Sequence, residues 1–265
     1  MAAVSLLHVQ TEPTARAKQA LIVWGIFILV LVLLNGTIPF LLGADLHAWT
    51  SSTFKSVIFD WVLYAGFFLI VPLVLTKGWA TVRQPGFLIP LMAAAIGVGM
   101  HHYVYYGPIL VIPVLGYLHW RYDLSPLGFR SLGWKGDLIA VLLMGGLSLL
   151  PLFFPGGHFF APGKALAAAM DRLLANPAST VENLFYFGFL TERLLSRTGR
   201  WFTPLIVASF YTLHEMSNPE YWYGALSFTF VFVAIAVAAA IYAWRRSLVV
   251  TWLGDILSRF VTQLF

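Results

Sequence analysis

The chain has 265 residues, of which 60% are hydrophobic and only 10% charged, with a formal net charge of +5. Soluble domains carry roughly 25% charged residues, so this chain has too few charges to solvate a globule of its size. A mean hydropathy of +0.82 makes lipid the solvent that the composition requires. The surplus Lys and Arg are scattered between apolar runs and not gathered on one face, which argues against nucleic acid as a partner. Cysteine is absent, so there is no disulfide framework.

In chain order, residues 1–18 form a polar tail ending in Arg16 and Lys18, followed by a first apolar run from Leu21 to Leu42. That run is longer than a cleaved signal requires and is expected to be retained as a span. A second run extends from Val57 to Thr76. Both reach the roughly 20 residues needed to cross a hydrocarbon core. Further runs cover Phe87 to Trp120, Leu138 to Ala161, Trp201 to Leu213, Tyr221 to Trp244 and Leu248 to Gly254. Continuous rather than alternating apolar runs select helices over a barrel. The expectation is an all-α polytopic membrane protein, one domain over residues 1–265, with about eight transmembrane helices. Gly107-Pro108 is expected to break the third run into a short hairpin.

With the N-terminus in the cytoplasm, that side receives Arg16, Lys18, Lys77, Arg83, Arg121, Arg130, Lys135, Arg193, Arg197, Arg200, Arg245 and Arg246. The other side receives Lys55, Lys164, Arg172 and Arg259. This is the asymmetry of the positive-inside rule, and it predicts a protein of the cell (inner) membrane. Two stretches read as interfacial: the connector Asp123 to Arg130, and an Ala-rich amphipathic helix over Lys164 to Leu174. Trp24, Trp49, Trp79, Trp134, Trp201, Tyr221 and Trp222 fit aromatic anchors at span ends.

Ionisable residues inside membrane helices cost several kcal/mol and default to functional or pairing roles. Glu182, His214 and Asp255 are three such residues on three separate helices. At 1.5 Å per residue, Glu182 and His214 each lie roughly 20 Å from the cytoplasmic end, and Asp255 roughly 14 Å. Together they could share protons, position a water or hold a metal; equally, Glu182 and His214 could simply pin helices together. Glu215, Asn218 and Glu220 follow His214 closely and read as the end of its helix at Asn218-Pro219.

The segment Glu182-Asn-Leu-Phe-Tyr-Phe-Gly-Phe-Leu190, followed by Arg193, Arg197-Thr-Gly199, Ser209-Phe210 and His214, resembles the CPBP family of CAAX-processing and bacteriocin-processing (Abi) membrane proteases. Leu127-Gly-Phe-Arg130 and Arg246-Ser247-Leu248 extend the likeness over residues 127–260. The resemblance implies an intramembrane endopeptidase with Glu182 and His214 as catalytic residues activating water. It also marks the departures. Asn183 stands where the family has a second glutamate, Phe187 where it has an arginine, Asp255 where it has a histidine, and Arg259 where it has Asn or Asp.

Asn183, Asp255 and Arg259 are therefore supporting candidates in a degenerate site. Losing a transition-state donor costs about 100- to 1,000-fold. The departures favour a protein that acts as a subunit, assembly factor or binding partner of other membrane proteins, with a glutamate-type or metal-assisted peptidase as the alternative. No cofactor is expected. Subordinate readings are a divalent metal at Glu182, His214 and Asp255, or a haem or chlorophyll-type pigment on a histidine such as His101, His102, His47, His119, His158 or His8.

Overall fold

A computed structural model describes residues 13–41, 43, 53–147, 166–167, 169–171, 178–216 and 225–262. Every regular element among them is helical and none is a strand. Two helices are long and apolar enough to cross a membrane: α1, Pro13–Thr37, and α2, Thr53–Lys77, each of 25 residues. At 1.5 Å per residue each spans about 37 Å, against a hydrocarbon core of about 30 Å.

Helix α1 buries Ala17, Ala20, Val23, Phe27 and Leu31, a stripe at three- and four-residue spacing. Its other face is equally apolar, with Ile22, Ile26, Leu29 and Val32 about half exposed. Such a face needs lipid or another apolar surface against it. Helix α2 widens into π-turns over Asp60–Ile70. The wide turns give way to ordinary ones as Pro72 enters, a residue with no N–H to continue the ladder.

After the short α3 (Trp79–Val82), Pro85 opens α4 (Pro85–Gly99) at a position where its missing N–H costs nothing. The expected break is present: regular helix stops at Gly99, a tight turn covers Gly107–Leu110, and α5 (Val111–Tyr122) follows. Gly97 and Gly107 allow the two arms to touch backbone to backbone, since a Cβ on either would collide with the other's carbonyl. Asp123, in the left-handed region at φ 52°, ends α5. A connector then leads into α6 (Trp134–Leu147). The expected amphipathic helix is described only in part, with Ala169 buried and Asp171 exposed.

The last third supplies the helix at the centre of the core. Helix α7 covers residues 178–198, its first half in wide π-turns over Ala178–Glu182 and Leu184–Thr191. From Leu184 to Thr191 every residue is buried, so this helix runs through the centre and is apolar all round. The helical stretch Glu192–Glu215 is broken at Gly199 (φ 71°, ψ 173°), a conformation suited to glycine. Helix α8, residues 200–215, therefore turns back beside α7. Helices α9 (Ala225–Arg245) and α10 (Leu248–Thr262) complete the fold. Helix α10 lies along α6, with Leu257 over Gly145 and Met144 over Gly254. Small residues at such crossings are how apolar helices approach closely.

Candidate functional site

Glu182 lies 17 residues before Gly199 and His214 lies 15 after it. The hairpin thus carries both to the same level, about 25 and 22 Å from the turn. There His214 Nδ1 is 3.5 Å from Glu182 Oε1, and the Tyr211 hydroxyl donates to Glu182 Oε2 at 3.1 Å. Glu182 and His214 are 6% and 9% exposed. Glu215 completes the group: ligand atoms of Glu182, His214 and Glu215 all lie within 4.8 Å of one another.

Aromatic rings wall the site. Phe27 from α1 and Phe68 from α2 meet the His214 ring edge-on at 5.2 and 5.6 Å, and Tyr186 lies parallel to it at 6.0 Å. Hence α1, α2, α7 and α8 each supply a side chain. His214 Nδ1 and the Tyr186 hydroxyl form no hydrogen bond with the described residues, despite burial. Buried polar groups are normally satisfied, so the Tyr186 hydroxyl stands out, and His214 Nδ1 has only the 3.5 Å approach to Glu182 Oε1. One imidazole and two carboxylates also form a donor set that suits a divalent cation.

The other sequence candidates fall elsewhere. Asp255 lies on α10, three residues past Trp252, whose indole N–H donates to the Thr180 carbonyl at 3.0 Å. Its carboxyl is not among the ligand atoms that converge on Glu182. Asn183 is half-buried on α7 between the two wide-turn segments. Phe187 stacks on Tyr242 at 5.9 Å, an apolar contact. The side chain of Arg259 lies outside the described residues, as do Asn218 and Glu220 and the histidines 8, 47 and 158. His101 Nδ1 is 3.1 Å from the Tyr105 carbonyl, and His119 Nδ1 accepts from the Leu124 amide at 3.1 Å. Trp24 is not at a span end; it stacks on Phe210 of α8 at 3.9 Å.

Two features escape a hydropathy reading. Asp60 is buried within α2 and accepts from the His102 amide at 3.2 Å. Glu192 forms a buried ionic junction. It accepts from Arg130 at 2.6 Å, from Arg246 through both oxygens (Nε at 2.6 Å), and from Tyr242 at 2.9 Å. Arg130 also donates to the Arg246 carbonyl at 2.9 Å, and the Leu248 amide donates to the Gly128 carbonyl at 2.7 Å. The connector is thereby fastened to α7 and to the α9–α10 turn. Gly188 admits it, because a Cβ there would stand 2.7 Å from the Leu127 carbonyl oxygen.

On the connector itself, the Ser125 hydroxyl and amide hold the Asp123 carboxyl below the usual carboxylate range. Arg193 ties three helices, lying 4.0 Å above the Phe189 ring and donating to the Leu75 carbonyl, Thr76 and Gln19 at 3.1–3.3 Å.

Comparison of the chain with protein-family models, curated proteins and solved structures returns no match.

Proposed function

We propose that this chain is a polytopic integral membrane protein of about eight spans, with its N-terminus in the cytoplasm, that hydrolyses peptide bonds within the membrane in the manner of the CPBP family. The convergence of Glu182, His214 and Glu215 in a buried aromatic box carries this reading. Glu215 supplies from α8 the second carboxylate that Asn183 does not supply from α7.

In this reading Glu182 takes a proton from water as the oxygen bonds to the scissile carbonyl carbon. The N–H of the neutral His214 ring or the Tyr186 hydroxyl donates to the developing oxyanion. The C–N bond then breaks, and the proton on Glu182 passes to the leaving amine. The test is cleavage of a library of fluorogenic transmembrane peptides by the protein reconstituted in liposomes. Glu182→Gln and His214→Ala should each lower the rate about 100-fold or more while helicity is kept. Unchanged cleavage in both folded variants sinks the assignment. A chelator separates the glutamate-type reaction, which it leaves intact, from a metal-assisted one, which it stops.

One observation favours a second reading, a non-catalytic subunit or assembly factor among other membrane proteins. Phe187, where the family has arginine, is committed to packing on Tyr242. That reading expects no cleavage by the folded wild type and a membrane-protein partner that co-purifies equally with Glu182→Gln.

A further inference from the structure

A cavity of about 500 Å³ opens between α6 and α10, away from the Glu182 site. His119, Arg130, Ser131, Asp137 and Ser247 give it a polar lining, and Leu138, Val141, Val250 and Leu253 an apolar one. Both His119 and Arg130 have donors to spare. The Leu124 amide donates to His119 Nδ1, which puts the proton of the neutral ring on Nε2, where no described residue accepts it. Arg130 uses Nε on the Arg246 carbonyl and one terminal nitrogen on Glu192, leaving the other terminal nitrogen uncommitted.

The local charge balance is also positive. Asp137, on the cavity wall, is matched by Arg245 at 2.9 Å, and Asp123, which acts on His119 from the end of α5, is matched by Lys77. Glu192 faces two guanidiniums, Arg130 and Arg246, so among the described residues one positive charge beside the cavity has no counterpart. The cavity therefore combines anion-seeking donors with a hydrocarbon-seeking lining. It sits where α5 ends and α6 and α10 begin, among Arg121, Lys135, Arg245 and Arg246. Trp134, 70% exposed at its edge, is the residue type that marks a membrane–water boundary.

We infer that this cavity binds one anionic phospholipid, with the phosphate on Arg130 and His119 and the start of one acyl chain along Val141, Val250 and Leu253. The volume falls in the roughly 300–1,000 Å³ range of ligand sites. It holds a head and part of a chain; the remainder lies in the bilayer. The inference rests on the membrane placement proposed above and is independent of peptide hydrolysis.

Native mass spectrometry of the full chain in nonionic detergent tests it, with phosphatidylglycerol, phosphatidylcholine and inorganic phosphate as probes. The wild type and Glu182→Gln should each retain one phosphatidylglycerol at least about five-fold over phosphatidylcholine, the preference that one nearby cation confers. Val141→Trp fills the cavity without touching an ion pair and should reduce the preference below about two-fold, at constant helicity. His119→Phe keeps the stacking on Phe129 and removes the donor; it should lower the preference as well, and it serves alone if the tryptophan variant does not fold. Equal retention of the two lipids overturns the inference, as does a preference that survives a folded variant. Displacement of phosphatidylglycerol by inorganic phosphate at equal concentration would reassign the cavity to a free anion. A wild type that stays monodisperse without detergent would instead refute the membrane placement.

Discussion

Glu192→Gln tests whether the ionic junction is what clamps the connector to the helices. The Glu192 side chain is 8% exposed, whereas those of Arg130 and Arg246 are 32% and 36% exposed. Removing one partner of a fully buried ion pair costs about 3–5 kcal/mol. Both arginines keep access to water, so part of the loss is recovered by solvation and about 2–3 kcal/mol is expected. Glutamine has the same shape and its oxygen still accepts from Tyr242, but its NH2 replaces the oxygen that accepts from Arg246, so the charge and one of the two Arg246 hydrogen bonds are lost together. Tyr242→Phe in turn removes one hydrogen bond and should cost about 1 kcal/mol. The assay is denaturation of the detergent-solubilised protein by sodium dodecyl sulfate, followed by circular dichroism. The variants share Glu192, so the double mutant should fall short of the sum of the two. A Glu192→Gln variant within 0.5 kcal/mol of wild type would refute the reasoning, since ordinary surface changes stay inside about that limit.

Phe68→Ala removes a fully buried ring that touches Phe27, Phe185, Tyr186 and His214. It should cost about 3–5 kcal/mol in the same denaturation assay, and a loss under about 1 kcal/mol would contradict the packing described. Asp123 gives a pH dependence. A folded pKa below the unfolded value contributes stability that is fully present above about 3.9 and lost as pH falls through the lowered value. Melting of the wild type should therefore decline more steeply with acidification in that window than melting of Asp123→Asn, and parallel curves would remove Asp123 as a contributor.

The helical class was legible because composition and apolar run length express what lipid demands of a backbone. The break between α4 and α5 was legible because glycine and proline act locally. The shared depth of Glu182 and His214 followed from counting residues, since rise per residue is nearly constant. Direction around the helix did not follow, because wide turns over Ala178–Thr191 spoil a 3.6-residue phase. Depth alone therefore groups Asp255 with Glu182 and His214. In sequence Glu215 is a helix terminus, which it is in the structure, while its carboxyl also reaches the site. Arg130 and Arg246 looked like topological charges, and their partner Glu192 is 62 and 54 residues away in sequence, where no local pattern joins them.

The turn at Gly199 makes the site a matter of arithmetic. Glu182 and His214 face each other because the two arms count out nearly equal lengths from one glycine. One residue inserted within either arm would swing its site residue by about 100° around the helix and shift it by about 1.5 Å. Chain length between residues 182 and 214 is thus itself a determinant of the site's geometry. Homologous chains that keep the site are expected to vary in residue type along the arms far more freely than in their spacing.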